Sequence, residues 1–348
     1  MLAQTGVPLA PLTTLRLGGP ARELVTARTE EELVAAVAGA DERGEPLLVL
    51  GGGSNVVLPD AGFDGTVVRV ATTGVDVEGG AGAPTCGGAT VRVAAGEDWD
   101  ALVARTVAEG LAGMEALSGI PGSTGATPVQ NVGAYAQEVS QTVSRVRTWD
   151  RSERRVRTFA AADCGFGYRT SRFKGRDRWV VLEVEFQLRP GDLGEPVRYA
   201  ELARALGVGV SGRAPLAAVR EAVLALRAGK GMVLDADDPD TWSAGSFFTN
   251  PVVDAVTAAA LPAAAPRWPQ PDGSIKTSAA WLIEHAGFGK GYGSGPARLS
   301  TKHTLALTNR GGARTADLLA LAREVRDGVE ARYGVRLVNE PVVVGDAL

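Results

Sequence analysis

The stretch between residues 119 and 135 restricts the fold of this chain more than any other, because glycine and proline set its backbone. Four glycines permit positive φ values and bring no Cβ near a ligand, and two prolines stiffen the path. Consecutive turns of this kind present backbone N–H groups to anions. The pattern favours a loop around a large phosphorylated cofactor, and an ordinary loop between two strands is the alternative. The residues concerned are Gly119, Pro121, Gly122, Ser123, Thr124, Gly125, Pro128, Gln130, Asn131 and Gly133.

A second glycine loop lies upstream and favours the cofactor interpretation. Residues 47–50 form an apolar run typical of a buried strand, which leads directly into Gly-Gly-Gly-Ser-Asn at positions 51–55. A Rossmann fingerprint would need glycine where Val56 stands, followed by a long helix, and a P-loop would need a Gly-Lys-Ser/Thr sequence. This loop has neither pattern, so the sequence predicts a phosphate-binding loop of another type.

Length and charge exclude several classes of function. At 348 residues the chain is long enough for two or three domains, and its net charge of −4 offers no basic excess to a nucleic-acid backbone. The sequence has no apolar window long enough to span a bilayer, and residues 1–16 lack a basic start followed by an apolar core. We therefore expect a soluble, cytoplasmic protein with no membrane or nucleic-acid partner.

The few cysteines and histidines limit the chemistry further. Cys86 and Cys164 are too few for a disulfide framework and form no Cys-x-x-Cys pair, so we expect both to be reduced and structural. His285 and His303 cannot build a multi-histidine metal site. The sequence predicts no metal site, and it favours Ser, Tyr, Glu or Lys as the proton donor or acceptor.

Helix and strand signals divide the chain into a strand-rich first part and a helix-rich second part. Capping residues at 29–32 and at Asp98 begin two helices that end at Gly44 and Gly110. Further helices are predicted at 215–228, 278–285 and 315–333, a helix and loop at 255–271, and strands at 66–70, 90–94, 143–149, 154–159 and 179–188 and near Leu305 and Leu337. The change in pattern places a domain boundary between residues 190 and 215.

Residues 168–174, with the sequence Tyr-Arg-Thr-Ser-Arg-Phe-Lys, concentrate three cations and a phenol in one turn before a predicted strand. The guanidinium of Arg169, beside an aromatic ring, suits a bidentate grip on a carboxylate. A solvated basic turn is the alternative interpretation.

Residues 244–251 hold a serine in a restricted turn. Gly245 permits a sharp turn and Phe247 and Phe248 anchor the chain in a core, which would fix the Ser246 hydroxyl at a surface cleft. The alternative is a strand end with a solvated serine. The turn lacks the Gly-x-Ser-x-Gly elbow and has no histidine nearby in sequence, so a hydrolase triad is disfavoured and proton donation stays open.

An acidic residue, Glu340, stands between predicted strands at 337–338 and 342–344. Such an acid is ordinarily a charge on an edge strand. Pro341 removes one ladder donor, however, and favours a bulge that would turn Glu340 inward.

Taken in order, these motifs resemble the UDP-N-acetylenolpyruvoylglucosamine reductase (MurB) family of peptidoglycan precursor synthesis. The resemblance covers nearly the whole chain through motifs at 14–21, 50–55, 119–135, 168–169, 245–251 and 339–341. It implies an α+β chain with a vanillyl-alcohol-oxidase-type FAD-binding fold of two subdomains, plus a C-terminal α+β substrate-binding domain. The implied bounds are 1–65 and 66–200 for the FAD-binding subdomains and 201–348 for the substrate domain, whose segment 337–345 would return to the active site.

The resemblance also implies a reaction. NADPH would pass hydride to FAD, and the reduced flavin would deliver hydride to C3 of the enolpyruvyl group of UDP-N-acetylglucosamine enolpyruvate, giving UDP-N-acetylmuramate. Arg169 and Glu340 match the pair that polarises the substrate carboxylate, where negative charge would develop. Ser246 matches the acid that protonates C2. Glu340 would have to be protonated or act through a neighbour, and Ser246 would need a proton relay.

Binding residues follow from the same resemblance, which is to the longer form of the family with a mobile tyrosine loop, and we expect a monomer. Cations at the end of a helix, such as Arg227 and Lys230, are also favourable without any ligand. Many members have Asn where Thr13 stands, in the first FAD strand. Many also have Lys where Thr249 stands, at a position implied to contact the nicotinamide phosphate. The implied FAD contacts are Gly51, Gly52, Gly53, Ser54, Asn55, Gly119, Ile120, Pro121, Gly122, Ser123, Gly125, Ala126 and Gly133. The implied substrate contacts are Gln130, Asn131, Tyr135, Tyr168, Tyr199, Arg227, Lys230 and Asn250.

Two other functions remain open at the level of sequence. One is an oxidase of the same flavin fold that uses O₂ on an alcohol or sugar, although the two glycine loops lack the His or Cys that often attaches flavin covalently. The other is a catalytically silent UDP-sugar sensor, which retention of Arg169, Ser246 and Glu340 disfavours.

Overall fold

The structure is a computed structural model that describes residues 3–79, 88–345 and 348. Cys86, one of the two cysteines predicted to be structural, lies outside the described residues. The α-helices are α1 (Glu30–Arg43), α2 (Trp99–Ala108), α3 (Ala200–Leu206), α4 (Leu216–Ala228), α5 (Ala255–Ala260), α6 (Ala279–His285) and α7 (Thr315–Tyr333). The strands are β1 (Ala3–Pro8), β2 (Pro20–Ala27), β3 (Leu47–Leu50), β4 (Val56–Val57), β5 (Phe63–Val70), β6 (Val75–Glu78), β7 (Ala89–Ala94), β8 (Leu111–Ala112), β9 (Gly133–Ala134), β10 (Gln137–Glu138), β11 (Val143–Asp150), β12 (Arg155–Ala160), β13 (Trp179–Pro190), β14 (Val252–Val253), β15 (Arg267–Pro269), β16 (Ile275–Thr277), β17 (Ala297–Leu299), β18 (Leu307–Asn309) and β19 (Val342–Val343).

The chain forms two units, and neither unit is continuous in sequence. Unit 1 consists of Met1–Val7, Ala21–Gly53 and Phe63–Gly229. Unit 2 consists of Pro8–Pro20, Ser54–Gly62 and Lys230–Leu348. The three-part division at 1–65, 66–200 and 201–348 stays a prediction.

Unit 1 contains two sheets of different character. In the first, the strand order is β1-β2-β5-β3, and β5 runs parallel to both of its neighbours. The second has the order β12-β11-β13-β7-β6, and β8 also pairs with β13; the pairs of this sheet are antiparallel. Alternating burial along β7 shows that one face of the second sheet packs into the core, as an antiparallel sheet with one solvated face requires.

The predicted helix caps of unit 1 are confirmed. The Thr29 hydroxyl accepts the Glu32 N–H at 3.2 Å, and the Glu32 carboxylate in turn accepts the Arg28 N–H at 2.7 Å. At the start of α2, the Asp98 carboxylate accepts the Ala101 N–H at 2.8 Å. These bonds satisfy donors that the first helical turn leaves without partners, so each cap fixes where its helix begins.

One apolar core joins α1, α2 and both sheets of unit 1. Leu33 and Val37 of α1, Val91 of β7 and Phe186 of β13 share this core with Trp99 of α2. The Trp99 and Phe186 rings lie 5.9 Å apart, and the indole N–H of Trp99 donates to the Leu117 carbonyl at 3.1 Å. The buried tryptophan therefore holds α2 against the sheet and also fixes the chain just before residue 119.

Unit 2 is built from short strands around the long helix α7. Its pairings are β14-β16-β15, β17-β18, and the parallel pair β4 and β19. The core packs Leu318, Val325 and Val329 of α7 against Phe247 and Phe248. Leu15, Leu17 and Val57, from the two early segments of the chain, belong to the same core. Residues far apart in sequence thus complete one hydrophobic cluster.

The predicted strand at 337–338 is wrong. Residues 335–338 have no regular structure, and only an isolated bridge between Phe248 and Asn339 forms there. The Val338 carbonyl accepts the Thr249 N–H at 3.0 Å, and the Glu340 N–H donates to the Phe247 carbonyl at 2.8 Å. Because the pairing ends after these two bonds, the apolar pattern that predicted a strand yields only a short irregular contact.

Two expected absences concern only the described part of the chain. Within it, no helix combines the length and the apolar character needed to cross a bilayer. The same residues include no group of three or more His, Cys, Asp or Glu side chains placed to hold a metal ion.

Candidate active site

The two glycine loops meet backbone to backbone within unit 1. A Cβ added at Gly52 would lie 2.6 Å from the Cα of Gly122, and one added at Gly51 would overlap the Ser123 hydroxyl. Only glycine permits so close an approach, so both loops present backbone rather than side chains. This bare double loop fits a large anionic group such as the pyrophosphate of a dinucleotide, as the sequence predicts. Ser54 and Asn55, which end the first loop, belong to unit 2.

The second glycine loop is anchored at several points along its first half. Its Gly119 N–H donates to the Asp100 carboxylate at 2.6 Å. Further along, the Thr124 N–H donates to the Glu97 carbonyl and the Gly125 N–H to the Ala95 carbonyl, both at 2.8 Å. A Cβ at Gly125 would lie 2.5 Å from the Ala95 side chain. The loop is therefore held against the end of β7 and the start of α2. Ile120, Pro121, Gly122 and Ala126 also lie along this half.

Residues 130–138 form a small hairpin, in which β9 pairs with β10. Asn131 is buried, and its side-chain amide donates to the Glu138 carboxylate at 2.8 Å and to the Gly167 carbonyl at 3.0 Å. Its side-chain oxygen accepts the Ser140 N–H at 3.1 Å. Both amide hydrogens of Asn131 are thus used within the protein, which makes the residue a brace for the hairpin. Gln130, beside it, is half-buried.

Arg169 lies against this hairpin, in a left-handed backbone conformation with φ of 52°. Its guanidinium donates to the Gly133 carbonyl at 2.5 Å and to the Asn131 carbonyl at 3.4 Å. A Cβ at Gly133 would lie 2.8 Å from an Arg169 nitrogen, so the absence of a side chain there makes room for the guanidinium. The Lys174 ammonium donates a hydrogen bond to the Arg169 carbonyl at 3.0 Å. Tyr168, the preceding residue, is 39% exposed.

A second cation of unit 1, Arg227, lies at the end of α4. Burial lowers the pKa of its guanidinium to about 10, against the opposing effects of Tyr135 and Asp100. The Tyr135 ring meets the Tyr199 ring edge to face, with centroids 5.4 Å apart. Tyr199, at the start of α3, is 46% exposed. These contacts gather Tyr135, Tyr199 and Arg227 at one place in unit 1.

In unit 2, the turn that carries Ser246 is held on both sides. Gly245 takes a φ of 69°, and its N–H donates to the Ser243 hydroxyl at 3.2 Å. The next residue, Phe247, donates its N–H to the Leu305 carbonyl at 2.8 Å. The Phe247 and Phe248 rings are buried with centroids 5.2 Å apart. Ser246 itself is half-buried, so a fixed turn presents its hydroxyl at the edge of the core.

Glu340 lies next to this serine turn. Its N–H donates to the Phe247 carbonyl at 2.8 Å, and its carbonyl accepts the Asn55 side-chain amide at 3.4 Å. The Val342 N–H then donates to the Asn55 carbonyl at 3.0 Å, at the start of the β4 and β19 pair. The structure thus brings Asn55, Ser246 and Glu340 together, although the first and last are 285 residues apart.

Two more predicted substrate contacts lie in unit 2. Asn250 accepts the Ala279 N–H through its side-chain oxygen at 3.0 Å and so helps to begin α6. Lys230, at the start of the last segment of the unit, is half-buried. The predicted site residues therefore form two sets. Those in unit 1 include Arg169 and Arg227, and those in unit 2 include Ser246 and Glu340.

Sequence reasoning missed the acids that hold these groups. Asp100 binds Gly119, and Glu138 binds Asn131. The buried Glu115 carboxylate accepts the Gln137 amide at 2.9 Å and the Glu195 N–H at 2.6 Å. An acidic residue in the first turn of a helix, such as Asp100 in α2, is favoured by the helix dipole alone. Its position in the sequence therefore did not predict the contact with Gly119. Glu115 lies 80 residues from Glu195, and no local sequence pattern predicts that contact.

Family models match two parts of the chain. Residues 21–158 match the model described as "FAD binding domain". Residues 237–344 match the model described as "UDP-N-acetylenolpyruvoylglucosamine reductase, C-terminal domain". The glycine loops lie within the first match, and Ser246 and Glu340 lie within the second.

Proteins of known name match the chain over nearly its whole length. The UDP-N-acetylenolpyruvoylglucosamine reductase of Streptomyces avermitilis is 59% identical, over 97% of this chain and 94% of its own. That of Thermobifida fusca is 57% identical, over 98% of each. The crystal structure of UDP-N-acetylenolpyruvylglucosamine reductase (MurB) from Thermus caldophilus superposes with a TM-score of 0.67 at 26% identity and covers 98% of each chain.

These comparisons confirm the predicted α+β fold with an FAD-binding domain and the prediction of an FAD-dependent oxidoreductase. The FAD-binding family model also confirms FAD, one of the two cofactors predicted from the resemblance, and NADPH stays a prediction. The individual site residues stay predictions. At 55–59% identity over nearly the full chain, the chain belongs to the UDP-N-acetylenolpyruvoylglucosamine reductase family.

Proposed function

We propose that this chain reduces the enolpyruvyl group of UDP-N-acetylglucosamine enolpyruvate to give UDP-N-acetylmuramate, with NADPH as the source of hydride. The observation that carries the proposal is the position of Glu340 beside the serine turn, where its backbone N–H donates to the carbonyl of Phe247, the residue after Ser246, at 2.8 Å. A proton donor and an acid that polarises the carboxylate are two groups that this reaction needs. We expect the enzyme to work as a monomer.

Residues 51–53 and 119–126 would hold the pyrophosphate of FAD. Bound flavin supplies the chemistry that no side chain offers, since it accepts hydride from a nicotinamide and passes hydride to a carbon. The close approach of Gly52 to Gly122 supports this role, because the two loops lie backbone against backbone, which a side chain at Gly52 would prevent. Ser54 and Asn55 complete the proposed set of FAD contacts.

Arg169 would bind the carboxylate of the enolpyruvyl group. A guanidinium offers two parallel donors to a carboxylate, and it stabilises negative charge that grows there when hydride reaches C3. The Gly133 carbonyl at 2.5 Å and the Lys174 contact at the Arg169 carbonyl support this role, because they fix the residue before the substrate arrives. Such preorganisation lowers the cost of reaching the transition state.

Ser246 would donate the proton to C2. A hydroxyl is a weak acid, so proton transfer from Ser246 to C2 requires a fixed position and a proton relay. The bonds at Gly245 and Phe247 hold the turn on either side of the serine. Glu340, protonated or acting through a neighbour, would help Arg169 to polarise the carboxylate.

The nucleotide sugar would bind through the remaining residues. Arg227 keeps its charge at neutral pH even with its lowered pKa of about 10, so it suits a diphosphate. The exposed ring of Tyr199 would close over the nucleotide from its place beside Tyr135. Asn131 would act by bracing the hairpin rather than by touching substrate. Gln130, Tyr168, Lys230 and Asn250 complete the proposed set.

The proposal is tested by separating the two half-reactions of a Ser246→Ala variant. Anaerobic NADPH should bleach the flavin absorbance of the variant at the wild-type rate, whereas reoxidation by the enolpyruvyl substrate should nearly cease. Ser274→Ala is a matched control, since this serine is also half-buried in unit 2 but lies in the turn between β15 and β16. Equal loss in both half-reactions would refute the acid role.

Other results would favour the other functions considered. Rapid reoxidation of the reduced wild-type flavin by O₂ with turnover of a free sugar would favour an oxidase. Tight binding of UDP by a preparation that lacks flavin absorbance would favour a sensor. A wild-type enzyme that neither holds flavin nor oxidises NADPH with the enolpyruvyl substrate would overturn the proposed function.

A further inference from the structure

One carboxylate of unit 1, that of Asp100, contacts two elements that the proposed function keeps apart. It accepts the Gly119 N–H at 2.6 Å, where the second glycine loop begins. The same carboxylate forms a bidentate pair with Arg220 of α4, at 2.7 and 2.9 Å. Asp100 therefore joins the start of a proposed flavin loop to a helix that carries a proposed substrate residue.

The pair is better shielded than a surface ion pair. The Arg220 side chain is 18% exposed and that of Asp100 is 34% exposed. Burial opposes ionisation of Asp100, yet the bonds from Arg220 and Gly119 and the nearby charge of Arg227 more than offset it and lower the pKa of the carboxyl. A half-buried bidentate pair of this kind restricts the orientation of both side chains.

Helix geometry connects this pair to Arg227. Residues seven apart on an α-helix lie nearly on the same face, two turns along the axis. Arg220 and Arg227 of α4 are related in this way, so a contact that fixes the first also fixes the direction of the second. The charge of Asp100 also acts directly on Arg227, since it opposes the fall in the pKa of that guanidinium. Both effects depend on the negative charge of Asp100.

We propose that Asp100 and Arg220 are positioning residues that hold Arg227, the proposed diphosphate contact, in register with the Gly119 end of the flavin loop. The inference rests on the proposed function. It goes beyond that function because it assigns substrate affinity to residues that touch neither substrate nor cofactor.

Three variants separate the contacts of the carboxylate. Asp100→Asn keeps an oxygen that can accept the Gly119 N–H but loses the charge that holds Arg220 and Arg227. Asp100→Ala loses both contacts. Arg220→Gln removes the pair from the helix side and leaves the carboxylate on Gly119. Each variant is purified as the flavin-loaded enzyme and titrated with UDP by calorimetry, and the affinity of each apoprotein for FAD is measured by flavin fluorescence.

We expect Asp100→Asn and Arg220→Gln to weaken UDP binding by about tenfold, as coupling within such a network implies, while FAD affinity stays within about twofold. Asp100→Ala should weaken the binding of both UDP and FAD. In steady-state kinetics the first two variants should raise KM for the nucleotide-sugar substrate and leave kcat nearly unchanged.

A matched control is available in the same unit. Arg151 and Asp41 form a similar bidentate pair with exposures of 21% and 26%. Asp41→Asn breaks that pair without touching any proposed site residue, so UDP affinity should stay at the wild-type value. UDP and FAD affinities of Asp100→Asn that match those of Asp41→Asn would overturn the inference. Arg220→Lys provides a second route should Asp100→Asn fail to fold, since loss of UDP affinity there supports the inference and wild-type affinity overturns it.

Failure of the proposed function would look different. A wild-type enzyme that binds UDP but does not reduce the enolpyruvyl substrate would overturn the function, whereas the ratio of UDP affinities between Asp100→Asn and Asp41→Asn would still decide the inference.

Discussion

Several residues of the proposed site hold backbone conformations that side chains usually avoid. Asn131, Tyr135 and Arg169 have φ values of 49°, 49° and 52°. A non-glycine residue in this region costs on the order of 1–3 kcal/mol, which the surrounding contacts must offset. The hydrogen bonds of Asn131 and the Lys174 contact to Arg169 provide such support. The strain is therefore located where the proposed chemistry needs a fixed geometry.

Gly133→Ala tests this placement at a single atom. The added Cβ would lie 2.8 Å from an Arg169 nitrogen, 2.8 Å from the Glu138 side chain and 2.9 Å from the Gln137 carbonyl, so it should push the guanidinium away from the Gly133 carbonyl and also shift the hairpin. Because displacement of a positioned group by about 1 Å can cost roughly 100-fold in rate, we expect kcat/KM to fall by about that factor. Steady-state NADPH oxidation measures the loss.

Gly209→Ala is the control for this prediction, since nothing lies within 4 Å of its added Cβ and it also belongs to unit 1. Gly209→Ala should keep the wild-type flavin spectrum. Wild-type kcat/KM in Gly133→Ala would contradict the proposed role of Arg169.

Cys164 is predicted to be an inert thiol. Its side chain is fully buried, and desolvation raises the pKa of the thiol to about 11. In a Cys86→Ser variant, a disulfide reagent at pH 8 should not react with the folded protein and should react fully in concentrated guanidinium chloride. Reaction of the folded protein as fast as that of free glutathione would contradict the burial.

Local residue patterns marked Arg169, Ser246 and Glu340 as candidates with plain alternatives, and the resemblance to the family implied their roles. Asp100 escaped prediction, since its partners Gly119 and Arg220 lie 19 and 120 residues away. The role of Asn131 also needed the structure. Its sequence suggested a donor for a ligand, whereas its hydrogen bonds are directed at Glu138 and Gly167.

At the scale of elements, prediction succeeded where the signal is local. Capping residues fixed the starts of α1 and α2, and α7 spans the predicted range. The strand predicted at 337–338 failed because a strand needs a partner of matching length, and residues 247–249 supply only a brief one. Strand formation depends on such distant partners more than helix formation does.

A buried carboxylate at the end of β11 makes the stability of the second sheet depend on acid. Bonds from the Arg178 guanidinium at 2.8–3.0 Å lower the pKa of Asp150 to about 2. A folded-state pKa below the unfolded value stabilises the fold above about pH 4, and this contribution is lost as pH falls towards 2. Its size is on the order of 1–2 kcal/mol, since Arg178 is partly exposed.

Urea unfolding of the wild type and of Asp150→Asn measures this contribution. The midpoint difference should be full at pH 7 and should shrink between about pH 4 and 2. Asp64→Asn is the control, because this carboxylate is almost fully exposed at 93%. A midpoint difference for Asp150→Asn that does not change with pH would show that Arg178 is not the cause.

At the scale of the whole molecule, the interleaved course of the chain limits how it can be divided. Unit 2 needs Leu15, Leu17 and Val57 in its core and needs β4 as the partner of β19. We therefore expect residues 230–348, expressed alone, to unfold without a cooperative transition in urea and to bind a hydrophobic dye. The full chain is the control, and a cooperative transition in the fragment would contradict this expectation.

The pairing of β4 with β19 has a further consequence during protein synthesis. Asn55, which leads into β4, leaves the ribosome 285 residues before Glu340. At elongation rates of about 5–20 residues per second, this interval is roughly 15–60 s. During this interval, the apolar side chains of the early segments of unit 2 lack the residues that bury them in the final structure. A nascent chain of this topology is an expected client of ribosome-associated chaperones, and its yield in cells should depend on them more than its final stability would suggest.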